Sequence, residues 1–200
     1  AVGESLDAPG AEILDAKGGY ILPGLIDAHC HIGLYETAIG FPGDDGNETS
    51  DPVTPQIRAL DGIYPLDSEY GVAVRGGVTT VATGPGSSNP IGGQFVAMKT
   101  WGRTMNEMVL RAPLAMKVAF GENPKRCYRD KCDSTRMSTA AFLRGALMQA
   151  KDYGARKQAA NGDVTKMPAY NQKLEALLPV LAGKELSREI ARKLAEPYRG

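Results

Sequence analysis

Histidine is scarce in this sequence, and its other special residues are few as well. Only two of the 200 residues are histidine, three are cysteine and one is tryptophan. An odd number of cysteines argues against a framework of paired disulfides. Cys127 and Cys132 have no further Cys or His near them in sequence, which makes a zinc knuckle a poor interpretation. We therefore expect ordinary reduced thiols.

Net charge and long apolar runs are also absent. Lysine and arginine together number 23, as do aspartate and glutamate. This balance creates no field that would recruit nucleic acid or an anionic membrane surface. No apolar run approaches the roughly 20 residues that span a bilayer, and no secretion signal opens the sequence. We expect a cytoplasmic protein without nucleic-acid or membrane partners, in which the sequon at Asn47 is a chance match.

Both histidines lie at the end of one apolar run. His29 and His31 flank Cys30 after the run that starts at Leu25. Residues i and i+2 of a strand point to the same face, so two imidazoles can point to one place while Cys30 faces away. Neutral imidazole is the commonest protein ligand of zinc and related ions. The pattern predicts a divalent metal site, and it is favoured over a chance pair because histidine occurs nowhere else in the sequence.

The residues around this pair carry a resemblance to a known family. Residues 23–33 read PGLIDAHCHIG, and they resemble the first barrel strand of the amidohydrolase superfamily, whose pattern there is PGLIDxHxH. Residues 76–94 (GGVTTVATGPGSSNPIGGQ) and 116–126 (MKVAFGENPKR) are similar to the next two strands of the branch related to imidazolonepropionase. The resemblance extends to about residue 150 and more weakly to about residue 181.

The predicted fold is α/β. Strands are expected at 25–31, 78–83 and 114–120. The first is a continuous apolar run typical of a parallel strand covered on both faces, and the β-branched residues of the second suit a buried sheet. Helices are expected at 68–75 after Asp67 as N-cap, at 139–160 after Ser138, at 170–181 and at 185–196. The resemblance implies that residues 23–200 form the N-terminal part of a (β/α)8 TIM-type barrel. Residues 1–22, with a predicted hairpin around Lys17-Gly18-Gly19, would be the C-terminal remnant of a small β-sandwich domain.

Two histidines supply only two of the four ligands of a zinc site, so a third ligand is expected. Glu122 follows the third predicted strand, at the edge from which barrel enzymes present their catalytic groups. Some amidohydrolases, the acetylglucosamine-phosphate deacetylases among them, use a third-strand glutamate as a metal ligand, and the resemblance implies this role for Glu122. The alternative is a solvated loop carboxylate.

Lys117 is a second candidate ligand, because other members of the superfamily carry a carboxylated lysine that bridges two metals, usually on the fourth strand. The pleat is expected to place Lys117 and Glu122 on opposite faces. Asn123 and Arg126 are candidates for substrate binding, with solvated surface as their alternative.

The resemblance implies hydrolysis of an amide or cyclic amide C–N bond by a metal-activated water, with a small-molecule substrate. Zinc is the favoured ion, and manganese or iron would also suit these ligands. A closed barrel needs eight strands and about 250 residues, so the general base and the remaining ligands are expected outside this chain, which by itself should be inactive. The alternatives are a noncatalytic metal-binding or scaffold module, and a subunit whose site is completed by another chain. An uncovered sheet also predicts self-association or pairing with a complementary fragment.

Overall fold

The computed structural model describes residues 3, 7, 9–37, 39–132 and 135–183. In chain order the elements are β1 Leu25–Cys30, a 3-10 helix Phe41–Gly43, α1 Ala59–Gly62, α2 Ser68–Arg75, β2 Val78–Thr83, β3 Ile91–Lys99, α3 Met105–Met108, β4 Val109–Val118, α4 Glu122–Tyr128, α5 Arg136–Ala160 and α6 Gln172–Leu181. The helix predicted at 185–196 lies outside the described residues.

The four strands form one mixed sheet in the order β1-β2-β3-β4. Strands β1 and β2 are parallel, whereas β3 is antiparallel to both β2 and β4. The three predicted strands are β1, β2 and β4, and they share one direction, whereas β3 was not predicted as a strand and lies between β2 and β4 in the opposite direction. Only residues 84–90 connect β2 to β3. That connection suits an antiparallel return, because a parallel crossover needs a dozen residues or more.

Two clusters of buried apolar residues pack against the sheet. One lies near β1, β2 and β3, and its members are Leu34, Ala59, Ile63, Tyr70, Val81, Val96, Met98 and Met108. The other joins the far end of β3 and β4 to α5 and α6, and its members are Ile91, Met116, Leu143, Ala146, Ala150, Leu177 and Val180.

The helix caps decide where the helices start. Asp67 caps α2 as predicted, with its Oδ1 accepting from the backbone N–H of Glu69 at 3.1 Å. The predicted cap of α5 was three residues too late. Thr135 is the N-cap, and its Oγ1 accepts from the backbone N–H of Ser138 at 3.2 Å while the Ser138 hydroxyl accepts from the Thr135 N–H at 3.1 Å. The two hydroxyls form a reciprocal capping box, so both residues suit a helix start and the pattern alone does not order them.

Helices α5 and α6 are joined by a carboxylate between two donors. Glu175 Oε1 accepts from the Tyr153 hydroxyl at 2.5 Å and from Lys157 Nζ at 2.6 Å. The bond from Lys157 holds the pKa of Glu175 below its ordinary value, and the same bond raises the pKa of Lys157. The bond to Glu175 raises the pKa of Tyr153. Near neutral pH these shifts favour an ionised Glu175 that holds the two helices together.

The amino-terminal segment contains the predicted turn but not the predicted strands. Lys17 and Gly18 have φ of 49° and 77°, and the Gly19 N–H donates to the Ala16 carbonyl at 2.8 Å. No strand is assigned within residues 9–22, where Ile13 and Tyr20 are 91% and 97% exposed. Two such short segments cannot form a stable hairpin without further strands. Their origin in a β-sandwich stays a prediction.

Among the helices of the described ranges, none is long and apolar enough to cross a membrane.

Candidate metal centre

A cavity of about 860 Å³ lies against the concave side of the sheet. Residues of β1, β2 and β4 line it together with Phe95 of β3 and the start of α4. Most of its wall is apolar, and the polar side chains in the wall belong to His29, Thr80, Ser87, Lys117 and Asn123. Any chemistry in this cavity therefore depends on few groups.

The two histidines lie side by side at the carboxyl end of β1. Their ring centroids are 5.2 Å apart and their planes meet at 79°. The Nδ1 atom of His31 is 2.7 Å from the Gly84 carbonyl oxygen. A carbonyl can only accept, so Nδ1 carries the hydrogen and, in the neutral ring, Nε2 carries the lone pair. His31 is thereby held in the tautomer that a metal bound at Nε2 requires.

The ring of His29 contacts a lysine of β4, the strand at the opposite edge of the sheet. Its Nε2 lies 3.1 Å from Nζ of Lys117 on β4. An ammonium group only donates, so the charged lysine directs an N–H at the lone pair of Nε2. Lys117 thus sits where a cation would approach His29. The sequence offered one signal for this contact, a lysine inside an otherwise apolar strand, but strand order was needed to show that Lys117 reaches β1.

Glu122 follows the third predicted strand, which is β4, but it is the first residue of a helix. Strand β4 ends at Val118, and Glu122 is the exposed first residue of α4. Pro124 lies in the first turn of this helix. Proline is tolerated in a first turn because N–H groups there have no partner within the helix. The argument from the strand pleat therefore does not apply to Glu122.

The predicted ligands and substrate contacts are only partly brought together. Across the part of the chain that the structure describes, no three His, Cys, Asp or Glu side chains form a group that could hold a metal ion. Glu122 as a third ligand stays a prediction. Asn123 lines the cavity, and its Oδ1 accepts from Arg126 at 3.4 Å. Arg126 is exposed, and its contact with substrate also stays a prediction.

Cys30 faces away from the imidazoles, as the strand alternation predicted. Its Sγ lies 3.6 Å from the Ala82 carbonyl oxygen, and the residue packs against the first core cluster. Burial raises the pKa of the Cys30 thiol. A thiol that is harder to ionise is a poor metal ligand, so Cys30 has a packing role.

The loop after β1 is fixed beside His31. The Tyr35 ring lies edge-on to His31 at 6.5 Å, and the Tyr35 hydroxyl accepts from Asn47 Nδ2 at 2.7 Å. Asn47 Oδ1 accepts in turn from the Ser88 hydroxyl at 2.7 Å. A Cβ at Gly86 would lie 2.4 Å from that same oxygen, so glycine there permits the two loops to touch. The Asn47 amide is committed to these contacts, in agreement with a chance sequon.

Comparison with known proteins gives three informative matches. The chain is 37% identical over 153 residues to Amidohydrolase tasK of Hapsidospora irregularis, covering 70% of this chain and 16% of that protein. It is 33% identical over 90 residues to a dihydroorotase of Ruminiclostridium cellulolyticum, covering 45% of this chain and 15% of that protein. A crystal structure of an amidohydrolase from Thermotoga maritima superposes with a TM-score of 0.87 at 42% identity, over 92% of this chain and 49% of that one. No family model matches.

The chain belongs to the amidohydrolase superfamily. The family prediction made from residues 23–33 is thereby confirmed, while the imidazolonepropionase-related branch stays a prediction. The chain spans about half the length of the amidohydrolase of known structure and about a sixth of each curated relative. The mixed sheet with its helices agrees with part of an amidohydrolase domain.

A buried asparagine holds together the loops that follow β1 and β2. Asn89 is 2% exposed, and its Nδ2 lies 2.7 Å from the Glu48 carbonyl, 2.8 Å from the Asp51 carbonyl and 3.0 Å from the Tyr128 hydroxyl. The Tyr128 hydroxyl donates to the Asp51 carbonyl at 2.9 Å, and burial raises the pKa of Tyr128. The network ties the loop after β1 to the β2–β3 connection and to α4. Sequence reasoning missed it, because a single Asn before a Pro looks like an ordinary turn.

Proposed function

We propose that this chain forms the metal-binding part of a hydrolase that acts on an amide or cyclic amide C–N bond. The observation that carries the proposal is the pair of adjacent imidazoles, of which His29 lines the cavity and His31 is held in the tautomer whose Nε2 can bind a metal. Relatives named amidohydrolase and dihydroorotase support this reaction class. The substrate would be a small molecule that enters the cavity beside Asn123.

The donor set suits a divalent cation. His31 and His29 would supply imidazole nitrogens, and the contact from the Lys117 ammonium to His29 Nε2 would have to break before that nitrogen binds an ion. Zinc, manganese and iron all accept imidazole ligands. A bound ion would polarise the substrate carbonyl and lower the pKa of a water molecule. The role of this chain is to hold the ion and to offer the Asn123 amide at the cavity wall; the general base is expected from residues outside it.

The geometry favours Lys117 over Glu122 as the source of a third ligand. Lys117 reaches His29, whereas Glu122 forms no metal-binding group with the histidines among the described residues. An ammonium has no lone pair, so Lys117 would first lose a proton. Its Nζ would then attack the carbon of CO₂ and release a second proton, forming a carbamate whose oxygens can bind metal. This is the carboxylated lysine that the family resemblance also suggested.

The third ligand can be tested by zinc titration of three variants of the chain. Lys117→Met should weaken zinc binding by at least about tenfold, and added bicarbonate should strengthen binding in the wild type but not in this variant. Glu122→Gln should leave the affinity nearly unchanged. Lys151→Met, on the exposed side of α5, is the matched control. Loss of affinity in Glu122→Gln with none in Lys117→Met would restore Glu122 as the ligand, and no zinc binding by the wild type would favour the scaffold alternative.

We also propose that the 200-residue chain associates with itself. Leu25 and Ile26 of β1 are 55% and 72% exposed, and Ile13, Leu14 and Ile21 before them are exposed as well. Exposed apolar side chains on an edge strand and on the segment before it favour association. Light scattering should show species larger than the 21.3 kDa monomer, shifted toward monomer by Ile26→Lys. A monodisperse 21.3 kDa species of the wild type would contradict this, and dissociation on addition of a complementary fragment would identify that fragment as the preferred partner.

A further inference from the structure

The ring of Phe95 contacts both histidines, the backbone of Gly84 and the side chain of Lys117. Phe95 lies on β3, is 6% exposed and faces the cavity. Its ring stacks on that of His29, with centroids 5.4 Å apart and planes at 17°. The same ring lies 6.4 Å from His31 at 66°, in an edge-to-face arrangement. Two directional ring contacts therefore converge on a residue that has no metal-binding atom.

Phe95 also packs against the backbone that holds His31. A Cβ built on Gly84 would lie 2.2 Å from Cδ2 of Phe95, so the ring lies directly on the backbone of residue 84. The carbonyl of that residue accepts from His31 Nδ1. The position of the ring thus limits where this carbonyl can go, and the carbonyl selects the tautomer of His31. Glycine at position 84 is what permits the approach.

Phe95 also contacts Lys117. The lysine Nζ lies 5.8 Å from the centroid of the Phe95 ring while it contacts His29 Nε2. A cation over an aromatic face is attracted by the ring quadrupole. The ring therefore provides a common support for His29, for the acceptor of His31 and for the ammonium group between them.

We infer that Phe95 is a positioning residue, which holds the imidazoles of His29 and His31 in the orientations that metal binding requires. A flat ring restricts His29 to planes parallel to itself, whereas an aliphatic side chain of similar volume would fill the space without this restriction. Removing the ring should free both imidazoles to rotate. The inference rests on the proposed function only for its metal-binding consequence, because the orientation of the rings exists without a metal.

The inference can be tested with Phe95→Leu, Phe95→Tyr and Val96→Ala in the 200-residue chain. Val96 is the next residue on β3, buried in the first core cluster, and its truncation weakens the core without touching the rings. The first readout is the tautomer of each histidine in the metal-free chain, measured by nitrogen-15 NMR at a pH where both rings are neutral. Only two histidines occur, so the assignment is direct. The second is cobalt(II) affinity with its visible absorption spectrum.

We expect His31 in the wild type to be the Nδ1–H tautomer, and Phe95→Leu to give a mixture. Cobalt affinity should fall by about 10-fold to 100-fold in Phe95→Leu with an altered spectrum. Phe95→Tyr should restore both readouts, and Val96→Ala should lower stability with neither changed.

Unchanged tautomers in Phe95→Leu, or equal losses in Val96→Ala, would overturn the inference. If the tautomers respond as expected but the wild type binds no cobalt, the positioning role stands and the proposed function fails. If the wild type binds cobalt and Phe95→Leu changes neither readout, the proposed function stands and the positioning role fails.

Discussion

Replacement of either His29 or His31 by alanine should abolish stoichiometric metal binding. A four-ligand zinc site contributes about 10 to 16 kcal/mol, so one ligand accounts for roughly 3 kcal/mol, or about a hundredfold in affinity. The set within this chain is smaller than four, which makes each imidazole a larger share of the total. The two ring centroids are 5.2 Å apart, so both imidazoles can bind the same ion, and loss of either one would leave a single imidazole ligand.

The measurement is metal content after zinc loading and dialysis, for the wild type and for both single variants. Cys30→Ala is the matched control, because Cys30 lies between the histidines in sequence while its side chain faces the core. It should keep its zinc. Zinc retained in both histidine variants would show that the ion binds elsewhere, and the proposed function would then lose its main support.

Replacement of Asn89 by alanine should lower the free energy of unfolding more than the other substitutions proposed for this chain. The Asn89 amide lies within hydrogen-bond distance of two part-buried carbonyls, those of Glu48 and Asp51, and of the Tyr128 hydroxyl. A buried acceptor left without a donor costs about 1 to 3 kcal/mol. Because Tyr128 still donates to the Asp51 carbonyl, we expect a loss of about 2 to 4 kcal/mol in the free energy of unfolding rather than the full sum.

Chemical denaturation of three variants tests this expectation. Tyr128→Phe removes one hydroxyl of the same network and should cost about 1 kcal/mol. Asn106→Ala, at an exposed position in α3, is the control and should change stability little. If Asn89→Ala is as stable as Asn106→Ala, the network does not anchor the loop after β1, and the rigidity assigned to that loop beside His31 would be wrong.

The local features that were predicted correctly depend on residues close in sequence. Residues 23–33 carried the family, and Asp67 before a polar turn marked the start of α2. Strand β2 was expected and found at 78–83, because its β-branched residues suit a buried sheet. At α5 the boundary was missed by three residues, since Thr135 and Ser138 both belong to the same capping box. Such errors concern the ends of elements and leave their identity intact.

The features that were missed depend on residues far apart in sequence. Strand β3 was not among the predicted strands, and it lies antiparallel between β2 and β4. That place brings Phe95 under the histidines and lets Lys117 reach His29. Glu122 was favoured because it followed a predicted strand end, yet the strand stops at Val118 and a helix begins at Glu122. A pattern along the chain cannot measure such cross-sheet distances.

The sequence by itself determined that this protein is an amidohydrolase relative with two histidines on one strand, because strand alternation and the PGLIDxHxH pattern are local properties. Only the tertiary structure decided what surrounds them. The direction of β3, the reach of Lys117 and the packing of Phe95 on Gly84 follow from how strands pair and how the sheet curves, and these are settled by burial summed over both core clusters. The histidine pair was thus predictable from sequence, and its orientation was not.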